Sequence, residues 1–315
     1  MSGFARLRRN MLVAVIIGLA GCAATPKPEW LLAGELVTLE NLTSAYVPDR
    51  MVQVWLPPGY PAEAPYDVVY MNDGQNLFDP TNTWNNQEWR VDETATALMT
   101  TEQTYPFIVV AISHGGERRH SEYFPQKAFE RLSSDDQNAI LALERAPGIP
   151  LFTDSIQSDN YLKFIVEELK PRIDRDYAVA ITPTHTHMIG ASMGGLISLY
   201  ALSEYPDVFG NVACLSTHWP GTPLRENNPV PEALLAYFEQ YLPEPDAHKI
   251  YFDHGDQGLD AAYPLLQKRV DALMIRRGYN ESSWTTQVFE GADHSEQAWA
   301  DRLRIPLRFL MAVTP

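Results

Sequence analysis

The residues best suited to chemistry begin with a serine set between glycines. The apolar run His187-Met188-Ile189-Gly190 leads into Ala191-Ser192-Met193-Gly194-Gly195, and a helix-like pattern follows. Gly190 to Gly194 therefore fits G-x-S-x-G in a strand-turn-helix context, where a sharp turn lifts the hydroxyl out of a sheet. The following helix aims its N-terminus at developing negative charge. The chemistry is nucleophilic attack on an acyl carbon, with Ser192 as nucleophile.

Such a serine needs a base, and an acid to hold that base, later in the chain. His294 lies in Phe289-Glu-Gly-Ala-Asp-His-Ser295, after an apolar run and before the last helical pattern. The acid belongs after Ile250-Tyr-Phe-Asp253, in His254-Gly-Asp-Gln-Gly-Leu-Asp260. Asp253 falls within the strand. Asp256 and Asp260 both remain, and spacing does not choose between them. The oxyanion requires two backbone N–H groups, from Met193 after the nucleophile and from the loop after the third strand. That loop is Asn72-Asp-Gly-Gln-Asn76, where Gly74 is expected to allow the bend and Gln75 to supply the donor.

The elements that must position these residues alternate. Strands are expected at 36–39, 52–56, 68–71, 107–113, 187–190, 212–216, 250–253 and 285–289. Helices are expected at 161–174, 195–204, 231–241, 261–277 and 296–311. Strand–helix alternation implies a mainly parallel sheet covered by helices on both faces. The first strands lack intervening helices and are expected to form an antiparallel N-terminal edge. The fold class is α/β, of the α/β-hydrolase type. Residues 114–157 break the rhythm and are expected to form cap-like loops within a single domain spanning 31–315.

The beginning of the chain reads separately. Arg6, Arg8 and Arg9 precede the apolar stretch Met11–Ala20, which is too short to span a bilayer. Leu19-Ala20-Gly21-Cys22 resembles a bacterial lipobox, which implies a signal peptide over 1–21, lipid on Cys22 and a tether over 22–30. Ala23, rather than Asp, follows Cys22; by resemblance to enterobacterial sorting patterns this implies the outer membrane, facing the periplasm. Cys214, the second of two cysteines, sits in an apolar run and is expected to be a buried structural thiol.

The 315 residues carry 24 basic and 40 acidic side chains, a net charge of −16. That balance repels phosphate backbones and argues against nucleic acid as a partner. No dinucleotide fingerprint or P-loop is present, so no cofactor is expected. His185 and His187 have no evident third ligand, so no metal is expected either.

Several segments together resemble the putative esterase family of the α/β-hydrolases, which includes S-formylglutathione hydrolases, enterochelin esterases, and feruloyl and acetyl-xylan esterase domains. They are Asp73-Gly-Gln-Asn-Leu-Phe-Asp79, Arg119-His-Ser-Glu-Tyr123, Gly190-Ala-Ser-Met-Gly-Gly-Leu196, Tyr205-Pro-Asp-Val-Phe209 and Gly291-Ala-Asp-His294. The resemblance implies a serine esterase acting on a small-molecule or carbohydrate ester through an acyl-enzyme. It places the acid at Asp260, with Asp256 standing where related sequences carry threonine. It also implies an Arg119–Glu122 pair bracing its loop. His218 and Trp219, after the strand that follows the nucleophile, are expected to border the cleft and touch substrate. An acyltransferase using the same residues, or a non-catalytic envelope binding lipoprotein, are the alternatives.

Overall fold

In the computed structural model, residues 28–40 and 42–313 are described. The signal-like segment, Cys22 and most of the tether lie outside them. The strands are β1 Glu35–Thr38, β2 Val52–Leu56, β3 Asp67–Asn72, β4 Phe107–Ile112, β5 Glu144–Ala146, β6 Ile149–Pro150, β7 Thr186–Ala191, β8 Asn211–Leu215, β9 Lys249–His254 and β10 Trp284–Val288. Eight of them make one sheet in the order β1-β2-β4-β3-β7-β8-β9-β10, and β5 and β6 form a separate hairpin. β1 and β2 run antiparallel to their neighbours. From β4 through to β10 all pairings are parallel. The N-terminal edge is thus antiparallel, as the missing helices between those strands implied.

Both faces of the sheet are covered. Val68 and Tyr70 enter one core, with Met188 and Val212; Val69 and Met71 enter the other, with Ile189 and Ala213. This is why the central strands read as continuous apolar runs rather than alternating ones. The helix Met193–Glu204 is buried at every residue from Met193 to Ser203. A helix apolar all round belongs in a core. It packs on β7 and β8, directly after Ser192.

Three local outcomes differ from the pattern reading. The stretch around 161–174 is helical over Ser158–Asp176 but widens between Phe164 and Leu169. Pro171 follows the widened turn; it has no N–H to donate, and its ring crowds the carbonyl four residues back. The last helix is two, Glu296–Arg302 and Arg304–Met311. Residues 114–157 hold the helical segments Arg119–Tyr123, Gln126–Phe129 and Ser134–Leu141 besides the hairpin. Phe124, Phe129, Ile140 and Phe152 anchor this region in the larger core. Cys214 is a free thiol, fully buried in β8, and burial pushes it well above its ordinary pKa.

The helix Val91–Thr100 has no counterpart among the expected elements. Its Asp92 is fully buried and accepts the N–H groups of Leu32 (2.7 Å) and Ala33 (3.0 Å), tying the chain before β1 to the body. Carboxylate atoms of Glu88, Asp92 and Glu93 lie within 4.8 Å of one another. Burial, then repulsion from Glu93 and Asp92, pushes Glu88 up to about 8. Burial, then the hydrogen bond with Asp92, pushes Glu93 up to about 7. Raised acid pKa values mean that the folded state binds more protons than the unfolded chain. Stability from this cluster is therefore full below the unfolded carboxyl range and is lost as pH rises toward 8. The Glu88 and Glu93 side chains are only half-buried, which screens the effect. Thermal melts should show the melting temperature falling between about pH 5 and about pH 8. Glu88→Gln with Glu93→Gln should flatten that slope.

Candidate active site

The turn from β7 into the helix Met193–Glu204 places Ser192 at φ 59°, ψ −123°. This region strains any residue with a side chain, by about 1–3 kcal/mol. The surroundings enforce it. Ser192 N donates to Leu215 O (2.9 Å), and Ser192 O accepts from Gly195, Leu196 and His218 N. A Cβ at Gly190 would lie 2.4 Å from the Gly194 backbone, so strand and helix approach this closely only with glycine there. Met193 is the first helical residue, and its N–H has no acceptor within the helix.

Past β9 the chain turns through Gly258–Ala262, and Asp260 there is fully buried. Its Oδ1 lies 2.5 Å from Nδ1 of His294. Its Oδ2 accepts from Gly255 N (2.7 Å) and from the Ser216 hydroxyl (2.6 Å). Burial pushes Asp260 up, but the bonds from His294, Ser216 and Gly255 outweigh it and hold the carboxyl below its ordinary value. Ser216 Oγ accepts in turn from Trp299 Nε1 (3.1 Å) and Arg302 NH2 (2.9 Å). With two donors on its oxygen, its proton is directed to Asp260. Arg302 also binds both oxygens of Asp253, at 3.1 and 3.0 Å, and Asp253 accepts from Ser216 N and the Tyr251 hydroxyl. Asp253 is thus a buried brace two bonds behind the His294–Asp260 pair.

Asp256 sits apart from that pair, partly exposed. Its Oδ1 accepts from Gly291 N (2.8 Å) and from Gln257 Nε2. It belongs to a latch between two loops, in which Asp256 N and Gln257 N also donate to Ala292 O at 3.1 and 3.0 Å. A Cβ on Gly255 would lie 2.1 Å from that carbonyl oxygen, so the latch requires glycine. His294 is flanked edge-to-face by Trp299 (centroids 5.0 Å apart) and Tyr263 (5.8 Å).

Ser192, His294 and Gln75 line one cavity of about 490 Å³. Arg119 lines it too, as do Trp84, Trp89, His114, Glu296 and Trp299, none of which the sequence singles out. Trp299 had a signal, lying one turn into the helix capped by Ser295 just after His294. Trp89 and His114 had none. Burial lowers His114, whose Nδ1 accepts from Gly116 N. Glu296 is held by the amides of Asn85 (2.6 Å) and Asn76 (3.4 Å).

Several expectations are corrected by the geometry. The left-handed residue of the Asn72–Asn76 bend is Asp73 (φ 57°), one before Gly74. Arg119 does not pair with Glu122. It forks onto Asp73 at 2.7 and 2.8 Å, while Glu122 takes both arms of buried Arg50 at 2.8 and 2.7 Å. Asp73 turns back over the bend and reaches Arg119 first. His218 and Trp219 do not line the cavity. Both are buried, His218 against Tyr263 and Thr222, and Trp219 with its Nε1 on Gln267 (2.8 Å). Their chain turns inward after Ser216, under the elbow. His185 and His187 share Asp67 at the far end of β7, at 2.6 and 2.9 Å. Among the described residues, the one cluster with metal-ligand spacing is Glu88, Asp92 and Glu93, none of which lines the cavity.

A family model described as "Putative esterase" matches residues 44–140 and 152–310. The chain belongs to this family. Two curated relatives, both from Bacillus subtilis (strain 168), match over shorter spans. The uncharacterized protein YbbA is 30% identical over 174 residues, covering 54% of this chain and 58% of YbbA. The ferri-bacillibactin esterase BesA is 27% identical over 167 residues, half of each chain. This putative esterase thus spans little more than half the length of these relatives. The crystal structure of the BES protein from Bacillus cereus superposes with a TM-score of 0.63 at 18% identity, covering 91% of this chain and 100% of that one. The fold is that of the α/β-hydrolases.

Arg302→Met should expose how far the buried brace matters. It leaves Asp253 as an unpaired buried charge and removes a donor from Ser216, a loss of about 3–5 kcal/mol. Urea denaturation of the variant against the parent protein measures it.

Proposed function

We propose that this putative esterase hydrolyses carboxylic esters through a Ser192–His294–Asp260 triad and an acyl-enzyme. The observation that carries the reading is the 2.5 Å contact between Asp260 Oδ1 and His294 Nδ1, at a cavity that also exposes the strained Ser192. Asp260 fixes the proton on Nδ1 and leaves Nε2 free as base. Nε2 takes the Ser192 proton as Oγ attacks the ester carbonyl. The N–H groups of Met193 and Gln75 receive the oxyanion. His294 then protonates the departing alcohol, and water clears the acyl group by the same steps in reverse. The buried Ser216 and Arg302 hold Asp260 ionised and aimed, which favours the imidazolium formed during attack.

Three tryptophans in the cavity, one of them (Trp84) 82% exposed at the rim, favour an ester with a flat or apolar face. A siderophore ester, as the name of the relative BesA indicates for that protein, fits this description. The net negative charge still weighs against nucleic acid, and no cofactor enters the mechanism.

Hydrolysis of short p-nitrophenyl esters and labelling by a fluorophosphonate test the reading. Ser192→Ala should abolish labelling and lower turnover on the order of 10⁶-fold. Asp260→Asn should lower turnover about 10⁴-fold, while Asp256→Asn, which only loosens a latch, should stay near the parent. Loss of activity in Asp256→Asn but not in Asp260→Asn would reassign the acid. We further propose that Cys22 carries lipid and holds the enzyme to the outer membrane, facing the periplasm. Cys22→Ser should then abolish metabolic incorporation of an alkyne fatty acid into the full-length chain. Among the described residues no helix is long and apolar enough to cross a membrane.

A further inference from the structure

The cavity beside Ser192 and His294 is also lined by Asp73, Arg119 and Glu296. Arg119 commits its fork to Asp73, at 2.7 and 2.8 Å, so those two charges answer each other. Glu296 is left over. It opens the helix Glu296–Arg302 and is only 5% exposed. Its hydrogen-bond partners are neutral. Asn85 Nδ2 donates to Oε2 (2.6 Å), and Asn76 Nδ2 donates to Oε1 (3.4 Å). Among the described residues it has no ion-pair partner. Of these lining groups, two carboxylates face one guanidinium, so one negative charge is in excess. A buried carboxylate is unfavourable unless an opposite charge meets it. Two amides hold this one in place and leave its charge unanswered.

Indoles stand around that charge. Trp299 lies three residues further on, so it shares a face of the helix with Glu296. Trp89 meets Trp299 with ring centroids 5.4 Å apart and planes at 48°. Trp84 stands at the rim. An ammonium group gains from both features, because it pairs with a carboxylate and is drawn to indole faces. A neutral hydroxyl gains only the hydrogen bond, and an anion is repelled. We propose that Glu296 is a specificity-determining residue, its fixed carboxylate selecting esters that carry an ammonium group. This rests on the cavity being an ester-hydrolysing site, and it adds a charge requirement that the flat walls do not set.

The test uses two pairs of esters alike in shape and different in charge. One pair is the p-nitrophenyl ester of trimethylammonio-butyric acid and its isostere with carbon in place of the ammonium nitrogen. The other is acetylcholine and its dimethylbutyl acetate isostere, which puts the charge on the alcohol side. In one of the pairs, kcat/KM for the cationic ester should exceed that for the neutral one by roughly ten- to a hundredfold. Added salt should shrink that ratio. Glu296→Gln should bring it near one. The ratio is taken within each enzyme, so a general loss of activity in the variant cancels. Should the variant not fold, the parent's own ratio and its salt dependence decide. A parent without cationic preference in either pair overturns the proposal, as does a preference that survives in Glu296→Gln. Turnover of the neutral esters without such a preference sinks this proposal and leaves the esterase reading standing. A parent that hydrolyses none of the four esters and takes no fluorophosphonate label overturns that reading, and this proposal with it.

Discussion

One hydroxyl proton organises the centre of this protein. Ser216 Oγ takes donors from Trp299 and Arg302 and so must give its own proton to Asp260. Through it, the buried Arg302–Asp253 ion pair, which ties the helix Glu296–Arg302 to β9, is connected to the carboxylate that meets His294. A buried charge pair is poor evidence of stability by itself, since desolvation offsets much of the attraction. Here its value is directional. It leaves Asp260 one protonation state and one orientation, although the residue sits where water cannot solvate it. The backbone at Ser216 adopts φ 41° to make this possible, a second strained residue close behind the first.

Asp260 and the turn at Ser192 therefore share a support. Ser192 N donates to Leu215 O, and the next residue in that strand direction is Ser216. Strain at Ser192 is held by β8, and the end of β8 also aims Asp260. His294 arrives from a third place, the loop after β10, and is brought in by the Ala292 latch. Parallel neighbours β7, β8, β9 and β10 deliver these groups at the same end of the sheet, which is where ligands bind in open α/β folds.

Much of this was legible in the chain. Eight sheet strands lie within a residue or two of their expected places; the inner ones are buried on both faces and leave an unbroken hydrophobic signal, while the edge strands β1 and β10 are half-exposed. G-x-S-x-G in its strand-turn-helix setting pointed to Ser192 as a strained turn. Spacing alone did not separate Asp256 from Asp260; both flank one turn, and their difference is burial, which depends on Ser216 and Gly255 arriving from elsewhere. The error over His218 and Trp219 has the same origin. A loop after a strand at this end of the sheet can face the cleft or fold beneath it, and the choice rests on partners 45 and 48 residues away, Tyr263 and Gln267. Trp84, Trp89 and His114 entered the cavity without any local pattern to announce them.

Apart from Glu296 and Trp299, the cavity wall and the Ser192–Asp260–His294 set come from different halves of the sheet. Ser192, Asp260 and His294 hang from β7, β9 and β10, whereas Gln75, Trp84, Trp89, His114 and Arg119 hang from the segments that follow β3 and β4. The bonds that fix Asp260 come from Ser216, Gly255 and His294, all in the second half. Exposed side chains of the first half, Trp84 above all, can therefore change the shape of the cavity mouth without touching a group that holds Asp260. Shape and alignment are separable properties of this chain.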